Sequence, residues 1–317
     1  MKCEEVSMQK FKIPLIEQRA DPFIWKHTDG YYYFTASVPA YDRIELRRAT
    51  TIEGLASAET ADVWFKHPSG EMSHLIWAPE LHHVDGRWII HFAAGHTMEV
   101  FDHRMYVLAC DGANPLTDPF YELGRIDTGR DEFALDATTF AHKGQQYLVW
   151  AEHDKAIAGN TNLYISRMTD PVTLATPPVM LTKPEYDWEC IRFLVNEGPA
   201  VVFHGDRIFI SYSASGVGRE YCMGLLWADA ESDLLDAGSW TKSKSPVFQT
   251  SDRNSLFGPG HNSFTVAEDG KTDLLVYHCR PYENIEGDPL FDPNRHACVQ
   301  AFTWDENGMP VFGEPGG

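Results

Sequence analysis

The 317 residues could hold one large β domain or two ordinary ones, and a content of 43% hydrophobic and 13% aromatic residues supports a packed core and excludes a disordered chain. With 46 acidic against 26 basic residues the formal charge is -20, a surface that repels nucleic acid and anionic membranes and suits a neutral partner. No run approaches the ~18 apolar residues of a membrane-spanning helix. Along the chain no segment keeps a helical period beyond the short "ESDLLDAG"; strand-length runs rich in aromatic and β-branched residues, punctuated by Gly, Asp and Pro, take its place. Five of them read as hairpins: "ADPFIWKHTDGYYYFTAS", "WAPELHHVDGRWIIHFAA", "LDATTFAHKGQQYLVWAE", "NEGPAVVFHGDRIFISYS" and "GHNSFTVAEDGKTDLLVYHC". Each is a strand, a tight turn containing glycine and a second, more apolar strand. A third strand follows each ("RIELRRAT", "RMYVLACD", "NLYISRMT", "YCMGLLWA", "ACVQAFTW"), and a less regular fourth follows in most units, such as "DVWFKH" and "FYELGRI".

Aligned on the turn glycines Gly30, Gly86, Gly144, Gly205 and Gly270, the residue eight or nine places earlier is Asp21, Ala78, Asp136, Glu197 and His261, at steps of 57, 58, 61 and 64 residues. Five units of four antiparallel strands predict an all-β fold, a five-bladed β-propeller; a large sandwich would not need five similar hairpins at even spacing. No linker or shift in composition divides the chain, so residues 1–317 are expected to form a single domain.

In a propeller the first strand of each blade lines the axis, so equivalent positions converge although they are far apart in sequence. Taken singly, Asp21 before Pro22 could start a turn, Asp136 could satisfy backbone amides, and His261 could be a hydrogen-bonded core histidine. Taken together, three carboxylates and an imidazole would face one pocket, where burial and mutual repulsion raise carboxyl pKa values. Two opposed carboxylates are the minimum for glycoside hydrolysis, and a third nearby would keep the acid protonated near neutral pH. Sugars stack on aromatic rings; of Trp25, Trp77 and Trp188, all near the ring segments, Trp77 beside the blade-two ring position is the best platform.

These residues resemble a known family. "RADPFI", "WAPEL", "LDATTF", "NEGP" and "GPGHNSF" with "YHCR", in order and at blade spacing, look like family 43 of the glycoside hydrolases, and the resemblance covers nearly the whole chain. It implies a five-bladed propeller and an inverting mechanism, with Asp21 as general base, Glu197 as general acid and Asp136 tuning and holding the acid. It further implies that Arg280 contacts the sugar and Asp136, and that His261 lines the central channel, where relatives often hold an ion, commonly calcium, through water. No cofactor is then required for the chemistry. "RIELRRA", "VNEGP" and "YCMGLLWAD" look most similar to exo-acting α-1,5-L-arabinofuranosidases, with a β-xylosidase of the same family as the alternative.

Other signals are weaker. His82 and His83 alternate along a strand and cannot share a metal, while His96 and Phe101 fall on a loop that could overhang the pocket. Glu80, two places past the ring position, and Glu152 read as structural pairs. A retaining glycosidase on a related scaffold would carry Arg-Asp-Pro in the middle unit, where this chain has "LDATTF". A non-catalytic sugar-binding propeller would repeat one site in every blade, whereas this ring is unequal; a protein-interaction scaffold would need no axial carboxylates. The opening "MKCEEVSMQKFK" lacks the apolar segment of a secretory signal. The six scattered cysteines (Cys3, Cys110, Cys190, Cys222, Cys279, Cys298) read as free, mostly buried thiols, so a cytoplasmic location is expected.

Overall fold

A computed structural model of the chain describes residues 10–317. Five antiparallel blade sheets follow one another as the sequence predicts, and a short pair, Thr303–Trp304 with Pro310–Val311, comes after the fifth. Blade one is Ala20–Lys26, Tyr32–Ser37, Arg43–Ala49 and Thr60–Phe65; blade two is His74–Val84, Arg87–Gly95, Arg104–Cys110 and Tyr121–Arg125. Blade three is Ala134–His142, Gln145–Glu152 and Asn162–Asp170, with Thr173–Leu174 and Val179–Thr182 sharing its outer edge. Blade four is Asn196–His204, Arg207–Ala214, Cys222–Asp229 and the short Thr241–Lys242. Blade five has three strands, Phe257–Val266, Asp273–Arg280 and His296–Ala301. Its outer edge is taken by the chain's early residues: the Leu15 amide donates to the Ala297 carbonyl at 2.9 Å and the Ala297 amide donates to that of Ile16 at 2.9 Å. The start of the chain thus clasps the end and closes the ring, leaving that edge paired.

The core lies between blades. Tyr33, Leu46, Leu81 and Trp88 pack blade one on two, and Ile89, Val107, Leu148 and Trp150 pack two on three. Val149, Ile165, Ile210 and Leu226 join three to four, Met223, Leu275 and Tyr277 join four to five, and Phe34, Leu274 and Val299 return five to one. Sandwiched on both faces, the inner strands read as continuous apolar runs, not as alternation.

Every first strand carries a bulge at the same level, and those of blades two and five carry a second just before it. Two residues of the first strand oppose one of the second between Ala20 and Phe23, Trp77 and Glu80, Leu135 and Thr138, Glu197 and Ala200, and Gly260 and Ser263. The residue after each opening position has left-handed backbone: Asp21 (φ 54), Ala78 (φ 44), Asp136 (φ 57), Gly198 (φ 54) and His261 (φ 43). A bulge bends the strand and re-aims a side chain, here toward the axis. This corrects the ring read from the turn glycines: in blade four the left-handed position is Gly198, and Glu197 stands one residue earlier, equivalent to Trp77. The spacing from the left-handed residue to the turn glycine runs from seven to nine residues and is shortest in blade four, so counting back eight from Gly205 overshoots.

Candidate active site

The bulges bring Asp21, Asp136, Glu197 and His261 to the floor of one cavity of about 330 Å³ at the axis. Its walls include Trp77, Phe101, Phe133, Leu135 and Leu290. Trp77 lines the cavity but is largely buried, with one face stacked on His103, centroids 3.7 Å apart, and Tyr41 edge-on to it at 6.0 Å, so it offers a ligand little surface. Phe101 stands on the rim, 59% exposed, edge-on to Phe133. Trp25 and Trp188 are outside the cavity lining and pack against other blades' side chains.

Asp21 is buried among cations and donors. Its Oδ1 lies 3.3 Å from Arg295 Nη1, 3.3 Å from His261 Nδ1 and 3.3 Å from His278 Nδ1. The Ser37 hydroxyl donates to its Oδ2 at 2.6 Å. Burial works to raise its pKa, but the charges of Arg295 and His261 outweigh it and hold the carboxyl well below the ordinary range. Arg295 is fixed in turn by Tyr41, whose hydroxyl accepts from Nη2 at 2.8 Å.

Glu197 has the opposite surroundings. Burial, reinforced by the charge of Asp136, pushes its pKa up to about 7, while Tyr221, donating to Oε1 at 2.8 Å, works against the rise. Asp136 is pushed up to about 6, chiefly by burial. Asp136 reaches the acid through the backbone, accepting the Gly198 amide at 2.9 Å. Glycine is favoured at 198: the left-handed φ, which the other four blades give to Asp, Ala and His, strains it least, and a Cβ there would stand 3.1 Å from His261 Cγ. His261 itself loses basicity to burial but gains more from Asp136, Asp21 and Glu197, so its pKa is raised.

Calcium takes oxygen ligands, and His261 Nδ1 is already turned to Asp21 and Asp136 at 3.3 and 3.9 Å. Among the described residues no group of three His, Cys, Asp or Glu side chains is placed to hold an ion. The donor set therefore does not fit a directly ligated ion.

Arg280 is placed differently from the sequence expectation. It is buried behind the wall, donating to the Val217 carbonyl at 2.8 Å and the Pro289 carbonyl at 2.7 Å, and it touches neither the cavity nor Asp136. The guanidinium at the carboxylates belongs to Arg295, fifteen residues on and paired with Asp21. The sequence reading missed Arg295, Tyr221 and His278 because each lies outside the first strands. "YCMGLLWAD" and "YHCR" contained two of them, without a spacing signal to mark them. Glu80 pairs with His82 Nε2 at 2.9 Å, and Glu152 binds Thr128, Trp150 and Arg130, as the structural reading of both expects. His96 pairs with Asp102 and is not in the cavity lining.

The pattern that defines glycosyl hydrolases family 43 matches residues 11–310. The chain belongs to that family. Within family 43 it is 54% identical to an extracellular exo-α-(1→5)-L-arabinofuranosidase of Streptomyces avermitilis over 96% of this chain and 63% of that protein. An enzyme of the same description from Streptomyces chartreusis is 48% identical over 88% of this chain and 85% of its own. Among solved structures, an α-L-arabinofuranosidase from Lactobacillus brevis superposes with a TM-score of 0.94 and 59% identity, covering 95% of this chain and 96% of that one. The chain spans 63% of the Streptomyces avermitilis relative's length. The expectation of a cytoplasmic protein does not stand: both Streptomyces relatives are described as extracellular. Free buried thiols, found at Cys110, Cys222, Cys279 and Cys298, are inert packing groups and do not report the compartment; Cys3 lies outside the described residues. Among the described residues no helix is long and apolar enough to cross a membrane.

Proposed function

We propose that this family 43 chain is an inverting, exo-acting α-L-arabinofuranosidase that releases terminal arabinofuranose from arabinan or arabino-oligosaccharides. The observation that carries the mechanism is the divergence of two carboxyls in one pocket: Asp21 held ionised by Arg295 and His261, Glu197 held protonated up to about pH 7 by burial and Asp136. Asp21 takes a proton from water as it attacks the anomeric carbon. Glu197 gives its proton to the glycosidic oxygen, so the leaving chain departs as a neutral alcohol. Attack on the face opposite the leaving group inverts the anomeric centre, which asks for carboxyls roughly 6.5–9.5 Å apart. Asp136 keeps the acid protonated and grips its strand through Gly198. No step is routed through a metal.

The neutral sugar fits a pocket whose walls are apolar and aromatic and whose floor carries the charge. A volume near the lower end of the ~300–1,000 Å³ of small-molecule sites favours a terminal sugar over a long internal stretch of chain. The arabinose preference is supported by the names of the relatives, including one matched across nearly its whole length.

The test is release of 4-nitrophenol from a panel led by the α-L-arabinofuranoside and the β-D-xylopyranoside, with NMR of the first sugar formed. Selective cleavage of the arabinofuranoside with β-arabinose as the initial product is expected. Preference for the xyloside would reassign the substrate, and retained configuration would sink the mechanism.

A further inference from the structure

A buried aromatic bridge connects the two carboxylates. The Tyr221 hydroxyl meets Glu197 Oε1 at 2.8 Å, and the Tyr221 ring lies parallel to that of His278, planes 4° apart and centroids 5.6 Å apart. His278 Nδ1 accepts the backbone amide of Asp21 at 3.0 Å. Both rings are fully enclosed. Tyr221 enters from the start of blade four's third strand and His278 from blade five's second, so the bridge spans the seam between those blades and ends at blade one.

Hydrogen-bond polarity is fixed at both ends. The Tyr221 hydroxyl donates to Glu197 Oε1 at 2.8 Å, with Ser213 Oγ engaged by the His261 amide at 2.7 Å. His278 accepts at Nδ1, which puts its proton on Nε2, and burial keeps the ring neutral by pushing its pKa down to about 3. Gly260 makes room for the stack: a Cβ there would lie 2.5 Å from Tyr221 Cε1.

We propose that Tyr221 and His278 are paired positioning residues that set the separation of acid and base and, by occupying Glu197 Oε1, direct the transferable proton to Oε2. This rests on the assignment of Glu197 as acid and Asp21 as base. A flexible glutamate could present either oxygen, and inverting hydrolysis tolerates little error in the gap that admits water. A stack of two flat rings is a stiff spacer with few rotatable bonds.

The groups that govern each end are these. Asp136, His261, Asp21 and Tyr221 face Glu197; Arg295, His261, His278 and Ser37 face Asp21. Tyr221→Phe keeps the stack and removes the donor that stabilises ionised Glu197. The alkaline limb of kcat/KM should then move up by about one pH unit. Hydrolysis of α-1,5-arabinobiose should fall about 10-fold or more, while the 4-nitrophenyl arabinofuranoside, whose leaving group needs little protonation, loses much less. His278→Phe keeps the stack and removes the acceptor that holds the Asp21 amide, so kcat should fall about 10-fold on both substrates while KM and the alkaline limb stay. Equal losses on both substrates with both limbs in place for Tyr221→Phe, or an unchanged kcat for His278→Phe, in variants that melt like the wild type, would overturn the proposal. Failure of the underlying assignment is read separately: Glu197→Ala would then hydrolyse arabinobiose at the wild-type rate.

Discussion

The first strands of blades one and four make the same bulge and put a carboxylate beside the same cavity, yet the two acids are held in opposite states. In blade one the carboxylate sits on the left-handed residue itself, Asp21, and meets Arg295 and two imidazoles. In blade four a glycine takes the left-handed position, the acid stands one residue before it, and its neighbours are Asp136 and a phenol. The backbone motif supplies position; the side chains brought by other blades supply protonation state. A repeat can thus be symmetric in its scaffold and asymmetric in its chemistry.

The largest break in this comparison comes from the base. Asp21→Asn leaves no group to take the proton from water, and kcat should fall by about 10³-fold or more on every glycoside tested in steady-state assays. Glu197→Gln should show the contrast, losing about 10²–10⁴-fold on arabinobiose but far less on the nitrophenyl substrate. Removing the cation beside the base, Arg295→Met, should raise the pKa of Asp21; the base is needed ionised, so the acid limb of kcat/KM should climb by about 1–3 pH units. Asp136→Asn removes the charge that helps keep Glu197 protonated. The acid's pKa should drop from about 7, bringing the alkaline limb to lower pH, the opposite direction from Tyr221→Phe. The smallest effect sharpens the backbone half of the comparison. Gly198→Ala forces a side chain into left-handed φ against His261 and should cost about 1–2 kcal/mol in denaturant unfolding.

Much of this arrangement is legible in the chain. Five hairpins at near-equal spacing give the blades, and the convergence of Asp21, Asp136, Glu197 and His261 follows from the propeller alone. The one-residue offset of Glu197 escaped because a bulge adds a residue without a compositional mark, and turn glycines fix a hairpin only to within that residue. Arg280 and Arg295 lie fifteen positions apart in the same blade, and nothing in their neighbours tells which turns inward. In the structure Arg280 is spent on the carbonyls of Val217 and Pro289, which leaves Arg295 for Asp21.

By itself, then, the sequence determined the periodic scaffold and the carboxylates, because hydrophobic period, turn chemistry and short motifs are local and repeat at every blade. Only the tertiary structure decided which carboxyl is ionised, which guanidinium serves it, and that Tyr221 and His278 join acid to base. Those outcomes depend on burial and on distances of a few ångströms between residues brought from different blades, and electrostatic energies in a buried site change steeply over such distances.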